Sequence, residues 1–253
     1  FLSKPGQSEE TWMSASDLMT VLMILFLLIA IFYTIQKSQE ADEITKSAEA
    51  LIRTEQELCK QIREKFSDLI ANKKIEVRCS PITVTFVHPE YKFAANECVL
   101  PVPFRQTLDF FFPVLINLIH SKNKYVLALE EVRIEGHTSS EWGSGKSKVD
   151  DMGSFKNNMK LSQCRAREVV KYSLGLEPIT GDDPKKENLY KARKKWAFHN
   201  LTANGLSFAR PIRLEDYQED KEASRRVEFK LVTNTRDIIK GLKAKRSAGE
   251  AEQ

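Results

Sequence analysis

Five stretches of the chain hold residues whose types and spacing could do chemistry. The first is one carboxylate, Asp17, at the leading end of an uncharged run from Leu18 to Ile35. A carboxyl in a low-dielectric setting favours its neutral form and can take up and release a proton as its surroundings change. A charge there costs roughly 2.5–3.5 kcal/mol at the centre of a membrane helix and less toward its edge. Two readings stand. Asp17 is an ion carrier facing a partner helix, or it is a border residue or helix cap in headgroup water. Ser14 and Ser16 leave the cap open. The other four stretches are Glu135-Gly136-His137-Thr138-Ser139-Ser140, Asn158-x-x-Leu161-Ser162-x-x-Arg165-Ala166, Ala203-Asn204-Gly205 and Ser224-Arg225-Arg226-Val227-Glu228. An arginine such as Arg165 can hold a carboxylate with two parallel hydrogen bonds. A helix beginning at Asn157-Asn158 would add backbone donors for an anion. Taken singly, each stretch is weak: the second is an ordinary strand end, the third an ordinary helix start.

Other chemistry is poorly supported. His88, His120, His137 and His199 are scattered, and no nucleophile elbow, metal motif or phosphate loop occurs. No enzyme and no resident cofactor are expected. Cys59, Cys79, Cys98 and Cys164 lack CxxC spacing, which argues against zinc. They leave two readings: a Cys79–Cys98 disulfide if the soluble part lies outside the cytosol, or buried free thiols. The net charge of +4, with both signs well mixed, is too mild to argue for nucleic acid.

These residues must be positioned by a small set of elements. Residues 1–11 are a polar tail. Trp12 to Gln36 is long and apolar enough for one membrane helix across a hydrocarbon core of about 30 Å. It is too long, and lacks the small-residue cleavage pattern, for a removable signal peptide. Lysine counts on either side do not orient it. Residues 37–73 read as a helical linker without Pro or Gly. Ile44, Leu51 and Leu58 recur every seven residues, with Ala48, Ile62 and Leu69 on neighbouring faces. That spacing fits a parallel coiled-coil seam and hence a dimer, or a helix packed on its own domain. The domain, residues 74–235, opens with strands around Cys79-Ser80-Pro81. A helix from Pro103, a strand over Val126–Glu135, a helix over Met159–Leu174 with Leu161 turned inward, a basic helix over Lys185–Leu201 and a strand over Val227–Val232 follow. The order predicts an α/β sandwich, helices packed on a small mixed sheet. Residues 236–253 form a charged tail.

The motifs, in this order, resemble the OmpA-like peptidoglycan-binding domain over roughly Ile75 to Thr233. That resemblance implies wall binding, with Arg165 gripping a carboxylate of the stem peptide. Asn158, Leu161 and Arg225 are carried over with it; of Arg225 and Arg226, one lines the groove and one sits in a salt bridge on the sheet. Where the family has an Asp that holds an ammonium group, this chain has Ser139, with Glu141 nearby.

An apolar helix led by Asp17, a helical linker and this domain together resemble stator B subunits such as MotB, and most nearly the ZorB family of Zorya anti-phage systems. The resemblance implies a homodimer inside a pentamer of the multi-span A subunit ZorA. It implies translocation of H+ or Na+ through Asp17. It also implies a single-pass protein of the inner membrane, N-terminus cytoplasmic and C-terminal domain periplasmic. A flagellar-type stator subunit and a passive tether between membrane and wall are the competing expectations.

Overall fold

The computed structural model describes residues 7–94, 96–141, 152–176 and 187–233. The start of the N-terminal tail, most of the insertion after the GHT motif and the charged C-terminal tail lie outside the described residues. The chain divides into two units, residues 1–50 with 241–253, and residues 51–240.

In the first unit every described residue belongs to helix α1 (Gln7–Lys65). No Pro or Gly interrupts that span, so nothing breaks its backbone ladder. Every large apolar side chain from Leu18 to Ile35 is exposed. A soluble protein does not tolerate so large an apolar band in water. Among the described residues α1 is the one helix long and apolar enough to cross a membrane. The Thr34 hydroxyl turns back on the helix and donates to the Ala30 carbonyl at 2.8 Å, which satisfies it without water.

The second unit takes the last turns of α1, then α2 (Ser67–Ala71) and strands β1 (Ile75–Cys79) and β2 (Ile82–Phe86). After a 3-10 turn at Pro89–Tyr91 come α3 (Val102–Ile119), α4 (Asn123–Ala128), β3 (Leu129–Gly136), α5 (Met152–Leu174) and α6 (Glu187–Asn200). Strand β4 (Leu201–Gly205), α7 (Lys221–Ser224) and β5 (Val227–Thr233) complete it. The sheet order is β1-β2-β5-β3-β4. Only the β3–β4 pair is parallel; the other pairs are antiparallel. This is the expected mixed sheet with helices packed against it.

The core is aromatic. The broad apolar face of α3, formed by Phe104, Leu108, Phe111, Phe112, Leu115, Leu118 and Ile119, is buried. The Phe86 ring lies tilted 4.9 Å from Phe104, and Phe111 lies 5.2 Å from Phe229 and 4.7 Å from Phe66. Such pairs add about 0.5–1.5 kcal/mol each beyond the area they bury.

Four expectations need correction. Leu58 and Ile62 are not on a free seam: with Cys59 and Phe66 they fill the domain's own core. Leu58, Ile62 and Phe66 recur every four residues, the stripe of a helix packed on its own domain. Val126 to Ala128 are the end of α4, and the strand begins at Leu129. β4 hides behind a basic helix and carries no clear alternation, so its sequence reads as a helix end. The cysteines pair as Cys59–Cys79 and Cys98–Cys164, with Cα atoms 5.6 and 5.8 Å apart, so Cys79 and Cys98 are neither joined to each other nor free.

Candidate functional site

One face of the sheet is packed on the helices; the other carries charge. Strand registers align Glu76, Thr85, Glu228 and Glu135 in one row and Arg78, Thr83, Lys230 and Arg133 in the next. Carboxylates directly opposite on neighbouring strands repel. Here the basic row and two further arginines offset that repulsion. Arg226 Nε donates to Glu228 Oε1 at 2.7 Å, while Lys230 Nζ and Arg210 Nη1 each reach Glu135 at 3.4 Å. Arg226 is therefore the arginine of the motif that makes the salt bridge on the sheet.

His137 sits over both carboxylates, its Nε2 3.8 Å from Glu135 and 3.7 Å from Glu228. The three side chains are buried and offer donor atoms within 4.8 Å of one another, close enough to surround a metal ion. Arg226, Lys230, Arg210, Arg133 and Arg78 already compensate the two carboxylates. A dication would add positive charge where cations already outnumber the two carboxylates, so the cluster is a structural ionic network.

Its protonation sets an acid limit. Burial pushes the Glu228 carboxyl up, but His137 and Arg226 outweigh that and hold it at about 2. Burial lowers the pKa of His137, against the pull of Glu228. Both folded-state values lie below those of an unfolded chain, about 4.3 for Glu and 6.5 for His. The stability each contributes is thus present above its unfolded value and is lost as pH falls from there through the lower folded one. Melting temperature should decline on acidification below about pH 6.5 and fall steeply below about 4.5. A Glu228→Gln variant, melted across the same range, should lose most of the lower limb; an unchanged acid profile would remove Glu228 as its cause.

Beside this network lies a cleft of about 460 Å³, whose lining includes Arg165, Arg225, Arg226, His137, Phe93 and Glu222. Arg165 comes from α5 and is only 5% exposed. Its Nε donates to the Glu97 carbonyl and its Nη2 to the Ala94 carbonyl, both at 3.0 Å, and its guanidinium lies 5.0 Å from the centre of the Phe93 ring. Burial, and then the like charge of Arg225, bring its pKa down to about 10, so it stays a cation at neutral pH. Among the described residues no carboxylate pairs with Arg165. Arg225 differs: it pairs with Glu222, which also takes Lys92.

The cleft thus unites Arg165 and Arg225 but not the other expected residues. Ser139 is buried and does not line it. Its loop is fixed by His137 N–H to the Arg226 carbonyl, Thr138 N–H to the Ser207 carbonyl and Ser140 N–H to Glu219, each near 3 Å. Glu141 pairs with Lys221. α5 begins at Met152, so Asn158 lies well inside the helix and caps nothing. It is buried, with Nδ2 3.4 Å from the Glu141 carbonyl, and backbone donors of a helix start do not reach the cleft from there. Leu161 is half-buried and outside both the cleft lining and the apolar core. Asp17 belongs to α1, but its side chain lies outside the described residues.

The motif glycines and Gln163 have roles that spacing did not reveal. A Cβ on Gly136 would stand 2.3 Å from the Ser162 carbonyl oxygen, and one on Gly205 2.3 Å from the Gln163 nitrogen. These glycines let α5 press onto the ends of β3 and β4. Gln163 fastens it there: Nε2 donates to the Ala203 carbonyl at 2.9 Å, and Oε1 accepts from Gly205 N–H at 2.6 Å.

No protein-family model matches the chain. The Zorya protein ZorB of Escherichia coli strain Crooks is 32% identical to it over 233 residues, 92% of each chain. The chain belongs to the ZorB family. A second Zorya protein ZorB, from an enterotoxigenic Escherichia coli strain, is 25% identical over 87% of this chain and 79% of its own. Among solved structures, a putative MotB-like protein from Desulfovibrio vulgaris aligns with 74% of this chain and 99% of its own, at 23% identity and a TM-score of 0.48. The cell wall anchor of the T6SS from Pseudomonas aeruginosa aligns with 68% and 97%, at 19% identity and a TM-score of 0.42.

Proposed function

We propose that this ZorB-family chain is the ion-conducting, wall-anchored B subunit of an anti-phage membrane complex. Two copies place their α1 helices side by side within a ring of multi-span A subunits. Asp17 carries H+ or Na+ between the helices and that ring. The domain from β1 onward lies in the periplasm and holds the dimer still against peptidoglycan. The work is mechanical and electrochemical, not enzymatic.

The observation that carries the wall-binding part is Arg165. A buried cation without a carboxylate partner is costly, and a cleft beside it gives an anion room to supply the missing charge. A stem-peptide carboxylate fits the fork of its guanidinium. The test is sedimentation of the purified full-length protein with sacculi. Arg165→Ala removes one charge-assisted contact, about 1.5–3 kcal/mol, and should weaken binding roughly ten- to a hundredfold. Arg165→Lys keeps the charge but not the fork and should fall between. Unchanged binding in both variants would move the wall site out of this cleft.

A further inference from the structure

Arg165 is aimed by an irregular segment that Phe93, Leu100 and the Lys92–Glu222 pair also hold to the domain. Between the 3-10 turn at Pro89–Tyr91 and α3, no helix or strand occurs among the described residues. That segment supplies Phe93 beneath the guanidinium and the Ala94 and Glu97 carbonyls that accept from it. Ala94 and Glu97 themselves are exposed. Cys98, the residue after Glu97, is bonded to Cys164, the residue before Arg165.

The connectivity closes a small ring: the Cys164–Arg165 peptide, the Arg165 to Glu97 hydrogen bond, the Glu97–Cys98 peptide and the disulfide. The covalent link holds donor and acceptor near each other, although they are 68 residues apart in the chain. Arg side chains give up about 2 kcal/mol of rotamer entropy when fixed, and pre-organised acceptors reduce what remains to be lost on binding. An untethered loop would leave that ordering to the ligand.

We infer that the Cys98–Cys164 disulfide is a positioning element of the Arg165 cleft, so that ligand binding there depends on the redox state of this cysteine pair. The inference rests on the reading of the cleft as an anion site. The switching step is simple thiol exchange. A dithiol reductant gives up two electrons and two protons, the S–S bond breaks, Cys98 and Cys164 become thiols, and the reductant closes its own disulfide.

Four forms of the full-length protein in detergent test it: unaltered, Cys98→Ser/Cys164→Ser, Arg165→Ala, and all three substitutions together. Each is checked by circular dichroism and then sedimented with sacculi. The serine pair should bind about tenfold more weakly than the unaltered protein. Added to Arg165→Ala, it should cost nothing further, because both act through one guanidinium. Full binding by the serine pair, with Arg165→Ala impaired, overturns the positioning role and leaves the cleft standing. Additive loss in the triple form also overturns it, since the disulfide would then act through overall stability. Unchanged binding by Arg165→Ala overturns the cleft itself. Should the serine pair fail to fold, Cys98→Ala/Cys164→Val, which refills the space, carries the same comparison.

Discussion

Asp17→Asn should abolish protection against phage while leaving the complex assembled and attached to the wall. Asparagine has nearly the same shape as aspartate, so packing against a partner helix changes little. It has no titratable oxygen and no formal charge, so it can neither exchange a proton nor neutralise a sodium ion at depth. Removing a charge from the end of an apolar span also removes an insertion cost of up to roughly 2.5–3.5 kcal/mol, so the variant should insert at least as well. The readout is phage plating on cells with the operon intact, with Asp17→Asn, and without the operon. The second and third should match. Co-purification with the A subunit and sedimentation with sacculi should both be unchanged. Full protection by the variant would leave only a passive tether.

Gly136→Ala should unfold the domain from β1 onward at a markedly lower temperature, although it adds a single methyl group. The nearest atoms to that methyl are the carbonyl group of Ser162 and the nitrogen of Ala166, all backbone of α5. A flexible side chain would swing aside; a helix backbone must translate. That movement would also strain the Gln163 bonds to β4 and the Ser162 Oγ bond to Ser207 N–H. Overpacking typically costs about 1–3 kcal/mol, and backbone displacement puts this site at the upper end. The melting temperature should drop by roughly 6–12 °C for a domain of this size. A shift of a degree or less would show that α5 can ride outward freely, contrary to the tight seat described.

Much of this was legible because periodicity and motif order are local. The uncharged run from Leu18 to Ile35 and the apolar face of α3 follow directly from residue spacing. Arg165 and Arg225 stand on motifs, and the cleft does join them. What escaped depends on partners distant in sequence. Leu58 fits a coiled-coil seam until it is known that Ile62 and Phe66 enter the same core. Asn158 looks like a cap because Asn157-Asn158 is polar, yet the helix already runs from Met152. Cysteine pairing is a statement about tertiary distance, and no spacing rule separates Cys79–Cys98 from the two bonds that form. The charged rows were half visible: Arg133 and Glu135, like Glu228 and Lys230, alternate along their strands. Their pairing across strands required the register.

The seat of Gln163 has one more consequence. β4 is the last strand of its sheet, and an outer strand with free backbone groups is a template onto which any passing chain can add itself. Gln163 occupies the Ala203 carbonyl and the Gly205 N–H, filling on that strand the places a stranger would take. On the β4 side, then, the helix that carries the motif also closes the sheet against edge-to-edge pairing with other chains.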